Sequence, residues 1–219
     1  MIPIHDLSKK SSLLNRFVAE IRDTNIHTDR LRFRRNIERI GEILAYEISQ
    51  TLTFKQKDVR TPLGIKSCLL PDEEVVLCTI LRAGLPLHQG FLNYFDHADN
   101  AFVAAARVYN DNHGSFNVDV SYLSSPSIEG KTILLIDPML ATAGSLELVY
   151  QALLQRGNPA FVHMACVIAS QQGIENACRF LPKGNTAIWA AAIDPELNDK
   201  AYIVPGLGDA GDLAYGEKI

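Results

Sequence analysis

The stretch TILLIDPMLATAGS (Thr132–Ser145) runs from a block of apolar residues through one acid into a string of small residues. Thr132–Asp137 is continuously apolar up to its terminal carboxylate, the pattern of a strand covered on both faces. Beyond it, Ser145–Arg156 has amphipathic helical spacing and stops at Gly157-Asn158-Pro159, a glycine-then-proline ending. The same alternation continues on either side. Glu74–Ile80, Ala101–Val108, Val118–Leu123, Ala160–Ala169 and Thr186–Ala192 read as strands, and Leu85–Phe95 and Gln171–Leu181 read as helices. Strands alternating with helices predict an α/β fold: a mainly parallel sheet with helices on both faces. In such a sheet the ligand lies beyond the carboxyl ends of the strands, so the loops after Ile80, Val108, Asp137 and Ala192 are expected at one rim.

The first third reads helical. From Asp29 to Gln50, Phe33, Ile37, Ile40, Leu44 and Ile48 recur at steps of three and four, one face of a helix. Arg30, Arg32, Arg34, Arg35 and Arg39 crowd its beginning, either as a solvated face or as a surface for phosphate or a partner subunit. No repeat, low-complexity tract or linker divides the chain. One domain over residues 1–219 is expected, with an N-terminal helical part over about 6–50 and a distinct C-terminal loop over about 202–216.

The 219 residues are 47% hydrophobic and 21% charged, which excludes a disordered or fibrous chain. No apolar run reaches the ~18 residues of a membrane span. The beginning, MIPIHDLSKK, has no apolar stretch of signal-peptide length, so a cytoplasmic protein is expected. A net charge of −4 argues against long-range attraction to nucleic acid or an acidic membrane, so any anion must be held by a local site. Cys68, Cys78, Cys166 and Cys178 form no C-x-x-C pair and are expected as buried thiols. The six histidines show no H-x-x-x-H pair, and His113, in the turn-like NDNHG, is expected to be solvated.

Three segments carry candidate chemistry. In Asp137-Pro138-Met139-Leu140-Ala141-Thr142-Ala143-Gly144-Ser145 a strand delivers an acid to the rim, and successive backbone N–H groups follow at a helix start, where the dipole favours an anion. No Lys follows the glycine, so this is not a Walker A loop. The alternative is an ordinary strand-to-helix turn capped by Ser145. In Ile80-Leu81-Arg82-Ala83-Gly84, Arg82 is either a bidentate phosphate clamp or a surface arginine in a turn. Arg107, ending the apolar run FVAAA, is either a second anion contact or the first solvated residue of a loop. The segment YIVPGLGDAGD (Tyr202–Asp212) satisfies G-x-G-x-x-G, yet too few residues follow for the helix and acid of a dinucleotide site. It reads as a glycine-dense loop offering backbone donors and acceptors to a small planar ligand, or else as a loose tail.

Taken together, ILRAGL (Ile80–Leu85), IDPMLATAGS (Ile136–Ser145) and YIVPGLGDAGD resemble the three signature loops of the uracil phosphoribosyltransferase family. Phe33-Arg34 and Gly41-x-x-Leu44-x-Tyr46-Glu47 resemble its N-terminal helix, so the likeness spans nearly the whole chain. The resemblance implies a type I phosphoribosyltransferase fold and the transfer of phosphoribosyl from 5-phosphoribosyl 1-diphosphate to uracil, with Mg²⁺ as cofactor and a homodimer or larger oligomer. The magnesium is implied to arrive on the donor, with no direct protein ligand assigned. Arg82 and Arg107 match the arginines that contact the donor's diphosphate, and Asp137 to Ser145 match the loop for the ribose 5-phosphate. Ile203, Gly208 and Ala210 match the uracil positions, and Asp209 matches an acid serving both base and donor. GTP activates some members of the family. The chain departs from the family's habits at Leu213, at Val108-Tyr109-Asn110-Asp111 and at Tyr215-Gly216-Glu217. Two other readings stay open: transfer to another base, and a non-catalytic regulator that senses nucleotide or RNA on the same fold.

Overall fold

The computed structural model describes residues 1–109 and 116–217, with the side chains of residues 105–109 and 116–120 outside the description. His113 therefore lies outside the described residues, and Arg107 contributes only its backbone.

The chain runs β1 (Ile4–Asp6), α1 (Leu13–Arg22), α2 (Arg30–Ser49), β2 (Phe54–Thr61), β3 (Gly64–Pro71), β4 (Val75–Leu81), α3 (Leu85–Leu92), β5 (Asp99–Tyr109) and β6 (Phe116–Ser124). It continues with β7 (Thr132–Ile136), β8 (Met139–Leu140), α4 (Gly144–Leu153), β9 (Phe161–Ser170), α5 (Gln171–Phe180), β10 (Thr186–Asp194), β11 (Glu196–Leu197), β12 (Ile203–Val204) and α6 (Ala210–Tyr215). The main sheet has the order β1-β10-β9-β7-β4-β5-β6, with β8 added beside β9. All its neighbours are parallel except the edge pair β5 and β6.

Alternation along β7 shows why its sequence is apolar throughout. Leu134 and Ile136 face one core with Phe33, Ile37, Ile40, Leu44 and Ile48 of α2; Ile133 and Leu135 face a second core with Leu146, Val149 and Leu153 of α4. The five α2 residues are all at most 2% exposed, so the spacing read from the sequence is the buried face. The helix begins at Arg30 because the Asp29 carboxylate accepts from the N–H groups of Leu31 and Arg32. Its arginines are divided among tasks: Arg32 pairs with Glu20, Arg35 with Glu38, and Arg34 reaches Ala214.

The first third is less helical than its sequence suggests. The β2–β3 hairpin occupies residues 54–71, and every residue of it except Cys68 is exposed. With no buried face, it leaves no period-2 signal. Cys78 and Cys166 are buried as expected, whereas Cys68 and Cys178 are only half-buried; all four thiols are free.

Three histidines are pushed down in pKa by burial. His163 accepts a hydrogen bond from Trp189 Nε1 at 3.1 Å on Nδ1 and falls to about 4, chiefly by desolvation; His5, stacked on Trp189 at 3.8 Å, and His88 shift the same way. An unfolded imidazole takes up its proton near pH 6.5, so between about 6.5 and 4 the unfolded chain binds more protons and stability rises with pH. Glu20 is held down to about 2 by hydrogen bonds from Arg32 and then Asn36, so its contribution is lost only below the ordinary carboxylate range. Urea unfolding should accordingly show stability falling as pH drops from 7 to 5, by at most about 2 kcal/mol from His163. His163→Gln should flatten that slope; an unchanged slope would contradict the assignment.

Candidate active site

After β4 the chain goes to β5 on one side, and β7 lies on the other. A sheet whose strands leave its centre in opposite directions opens a crevice there, at the carboxyl ends of the two central strands. The bends at 81–84 and 137–144 stand on either side of that crevice.

The first bend is locked to the second strand. Thr79 Oγ1 donates to the Ile136 carbonyl at 3.3 Å, and Gly84 N–H donates to Ile80 O at 3.1 Å. A Cβ on Gly84 would lie 2.3 Å from Thr79 Oγ1 and 2.5 Å from Ile80 O, so only glycine fits. The Leu81–Arg82 peptide is cis. The Arg82 side chain is 43% exposed, with Nη2 donating to the Gly216 carbonyl at 3.1 Å and 3.5 Å from Asp212 Oδ1.

The second bend is tied down through its carbonyls. Ala141 O accepts from Ser170 Oγ at 2.6 Å, and Thr142 O accepts from Asn176 Nδ2 at 3.1 Å. In a trans peptide the next N–H points opposite the carbonyl, so the amides of Thr142 and Ala143 face away from these anchors, outward. Pro138 O accepts from Val167 N and Ile168 N, and Met139 and Leu140 form β8 with side chains in the two cores. Those three residues are thus built into the sheet, while residues 141–145 form the open bend. Asp137 Oδ1 accepts from Met139 N at 3.3 Å.

The helix start differs from the sequence reading. Ser145 is not the cap: α4 begins at Gly144, and Ala143 is the N-cap, with φ +66° and no side-chain hydrogen bond. Left-handed backbone costs a non-glycine residue about 1–2 kcal/mol. A left-handed residue among right-handed ones makes the kind of concavity of successive N–H groups that favours an anion, and the Gly144 N–H meanwhile donates to Thr142 Oγ1 at 3.5 Å. Gly144 is exposed, and a Cβ there would meet only Thr142 Oγ1 at 3.7 Å. Its missing side chain leaves room outside the protein rather than within it.

The third segment is ordered, not a loose tail. Ile203, Leu207 and Ala210 are buried in the α2-side core. Gly206 and Gly208 have φ +56° and +95°, and the Val204–Pro205 bond is cis. Asp194, ending β10, binds Arg22 through both oxygens (2.7 and 2.8 Å) and accepts from Gly206 N at 2.9 Å, while Arg22 donates to Gly206 O at 2.8 Å. Asp209 caps α6 by accepting from Asp212 N at 2.9 Å. A Cβ on Gly208 would meet only Leu213 Cδ1 at 3.9 Å, so this glycine too presents a bare face.

The three segments therefore converge: Thr79 joins the first bend to β7, and Arg82 joins it to Gly216 and Asp212 on the third. Arg107 stands on β5, beside β4, with its side chain outside the described residues. Sequence reading gave no role to Arg22 and Asp194; Asp194 ends a strand at the same rim, the one signal that pointed to it. Among the described residues no group of three His, Cys, Asp or Glu is placed to hold a metal by itself, and no helix is long and apolar enough to cross a membrane.

The family model described as uracil phosphoribosyltransferase matches residues 8–217. A Porphyromonas gingivalis protein named uracil phosphoribosyltransferase is 57% identical over 213 residues, 97% of this chain and 98% of its own. One of that name from Pyrobaculum arsenaticum is 39% identical over 90% of this chain and 92% of its own. A solved structure of an Aquifex aeolicus protein superposes with a TM-score of 0.85 at 31% identity, covering 97% of this chain and 98% of the other.

The glycines of the first two bends should respond differently to a methyl group. Gly84→Ala is expected to lower the unfolding free energy by about 1–3 kcal/mol through overpacking, and Gly144→Ala to leave it within about 0.5 kcal/mol. Urea denaturation of the two variants checks this, and equal losses would contradict it.

Proposed function

The chain belongs to the uracil phosphoribosyltransferase family, and from that premise we propose that it transfers the phosphoribosyl group of 5-phosphoribosyl 1-diphosphate to uracil, giving UMP and diphosphate. The observation that carries this reading is the meeting of three bends at the sheet's crevice: an outward-facing amide bend, an exposed arginine and a glycine loop with a bare face.

The 5-phosphate fits the amides of Thr142 to Ser145: the carbonyls before Thr142 and Ala143 are anchored behind them, and Gly144 leaves room for close approach. It is remote from the bond that breaks, so its binding energy positions C1 of the ribose against N1 of uracil. Cleavage of the C1–O bond gives an oxocarbenium-like centre and a diphosphate whose charge grows. Arg82, and Arg107 from the neighbouring strand, are the cations suited to that charge. Arg82 reaches it by giving up Gly216 O and the long contact to Asp212, both exchangeable in an exposed side chain. Uracil offers acceptor, donor, acceptor along O2, N3–H and O4; backbone groups of Ile203, Gly208 and Ala210 complement that order and mismatch cytosine.

Magnesium prefers oxygen donors, one or two carboxylates together with substrate phosphates. The Asp209 and Asp212 carboxylates on one short segment fit that need, and Asp212 Oδ1 is buried without a hydrogen-bond partner among the described residues. When bound with the donor, the ion neutralises part of the diphosphate charge.

The expected assay result is UMP formed from uracil, the diphosphate donor and Mg²⁺; orotate or a purine as the preferred base, or no product at all, would overturn the reading. Arg82→Ala should lower turnover by roughly 10²–10³-fold with little change in melting, since the side chain is outside the core. Asp209→Asn should also lower turnover with the fold intact, because Asn caps a helix as well as Asp. Unchanged turnover would remove that residue from the site.

A homo-oligomer is the second part of the proposal. A lone two-stranded hairpin is marginal in water, yet β2–β3 exposes Leu63, Ile65 and Leu69 at 100%, 74% and 69%. It carries Lys55, Lys57, Arg60 and Lys66 against Asp58; Lys55 and Lys57 pair with Asp72, which leaves Arg60 and Lys66 to meet a second copy of a chain whose net charge is −4. Leu63→Asp with Ile65→Asp should shift sedimentation velocity toward the monomer; a wild-type monomer would contradict the proposal.

A further inference from the structure

Helix α6 has six residues, under two turns, and a helix that short does not hold its shape in water without outside contacts. Its start, at the base-reading loop, is fixed by the Asp209 cap and by burial of Ala210. Its end is held by burial of Ala214 in the core and, at its carbonyls, by two guanidinium groups from opposite parts of the chain. Arg34 of α2 donates from Nη1 to the Ala214 carbonyl at 2.7 Å and stands 5.9 Å from the centre of the Tyr215 ring. Arg82, from the bend after β4, donates to the Gly216 carbonyl at 3.1 Å. Both bonds fall on the carbonyl end of the helix, where a cation also meets the negative pole of its dipole.

The two grips are not equivalent. On the uracil-transfer reading, Arg82 turns to the donor's diphosphate and its hold on Gly216 is released when the donor binds. Arg34 is anchored on a twenty-residue helix whose apolar face lies in the core, so its hold persists. We propose, resting on that reading, that Arg34 is a positioning residue for uracil: it keeps α6, and with it Gly208 to Ala210, in place while Arg82 is engaged elsewhere. Tyr215 serves the same grip through its ring. Burial pushes the Tyr215 hydroxyl up in pKa, with Arg34 and Arg82 drawing it back. The ring therefore stays neutral and presents its face to the cation.

The test is steady-state kinetics of Arg34→Met, which keeps the aliphatic stem and removes the guanidinium. At saturating donor, the KM for uracil should rise roughly tenfold while kcat stays within about twofold, the loss of one charge-assisted bond used equally in ground and transition states. The KM for the donor should not change, and melting should shift by no more than about 3 °C. Arg34→Lys should recover part of the uracil affinity, and Tyr215→Phe should match the wild type while Tyr215→Ala follows Arg34→Met. A uracil KM within twofold of wild type in Arg34→Met would overturn the proposal. So would a change confined to kcat and the donor KM, which would make Arg34 a donor contact. Wild-type protein that makes no UMP would instead overturn the uracil-transfer reading, and is seen before any variant is made.

Discussion

The amides of Thr142 and Ala143 face outward because their preceding carbonyls are held from behind by Ser170 and Asn176. The rest of the site depends on this constraint. An anion at the helix start would otherwise compete with the bend's own freedom to rotate its peptides. Ser170, the cap of α5, and Asn176, midway along it, remove that freedom, and the left-handed Ala143 completes the turn. β8 lies beside the end of β9, from which α5 starts, and follows β7 by way of Asp137 at the rim.

The neighbouring bend is fixed by different means to the same end. Gly84 is packed so closely on Thr79 and Ile80 that the loop after β4 has one path, which sends the Arg82 side chain out of the protein. Arg82 then finds partners on the C-terminal segment, which is itself tied to β10 by the Arg22–Asp194 pair. The segments proposed for donor and base are thus mechanically joined through the exchangeable contacts of Arg82. On that proposal, holding the base loop when those contacts are given up falls to Arg34 of α2.

Much of this was legible before any coordinates. Continuous apolarity at Thr132–Ile136 and the three-and-four spacing from Phe33 to Ile48 each matched a buried surface, because burial on two faces or one leaves a period in the sequence. The small-residue bends were legible as well, since Gly84, Gly206 and Gly208 answer real steric demands. The β2–β3 hairpin was not, because an element exposed on both faces leaves no such period. Ala143 gave no warning of its positive φ, as nothing but glycine or asparagine signals that conformation locally. The Arg22–Asp194 and Arg34–Ala214 contacts join residues 172 and 180 positions apart, and a single sequence has no way to pair them. Those long-range polar contacts hold the third segment in place, where Arg82 meets it.

A crystal structure of the protein with UMP bound tests the central claim most directly. The 5′-phosphate is expected on the amides of Thr142 to Ser145 and the uracil ring against Ile203, Gly208 and Ala210. A nucleotide seated away from the crevice between β4 and β7, or with its phosphate elsewhere than on that bend, would contradict it.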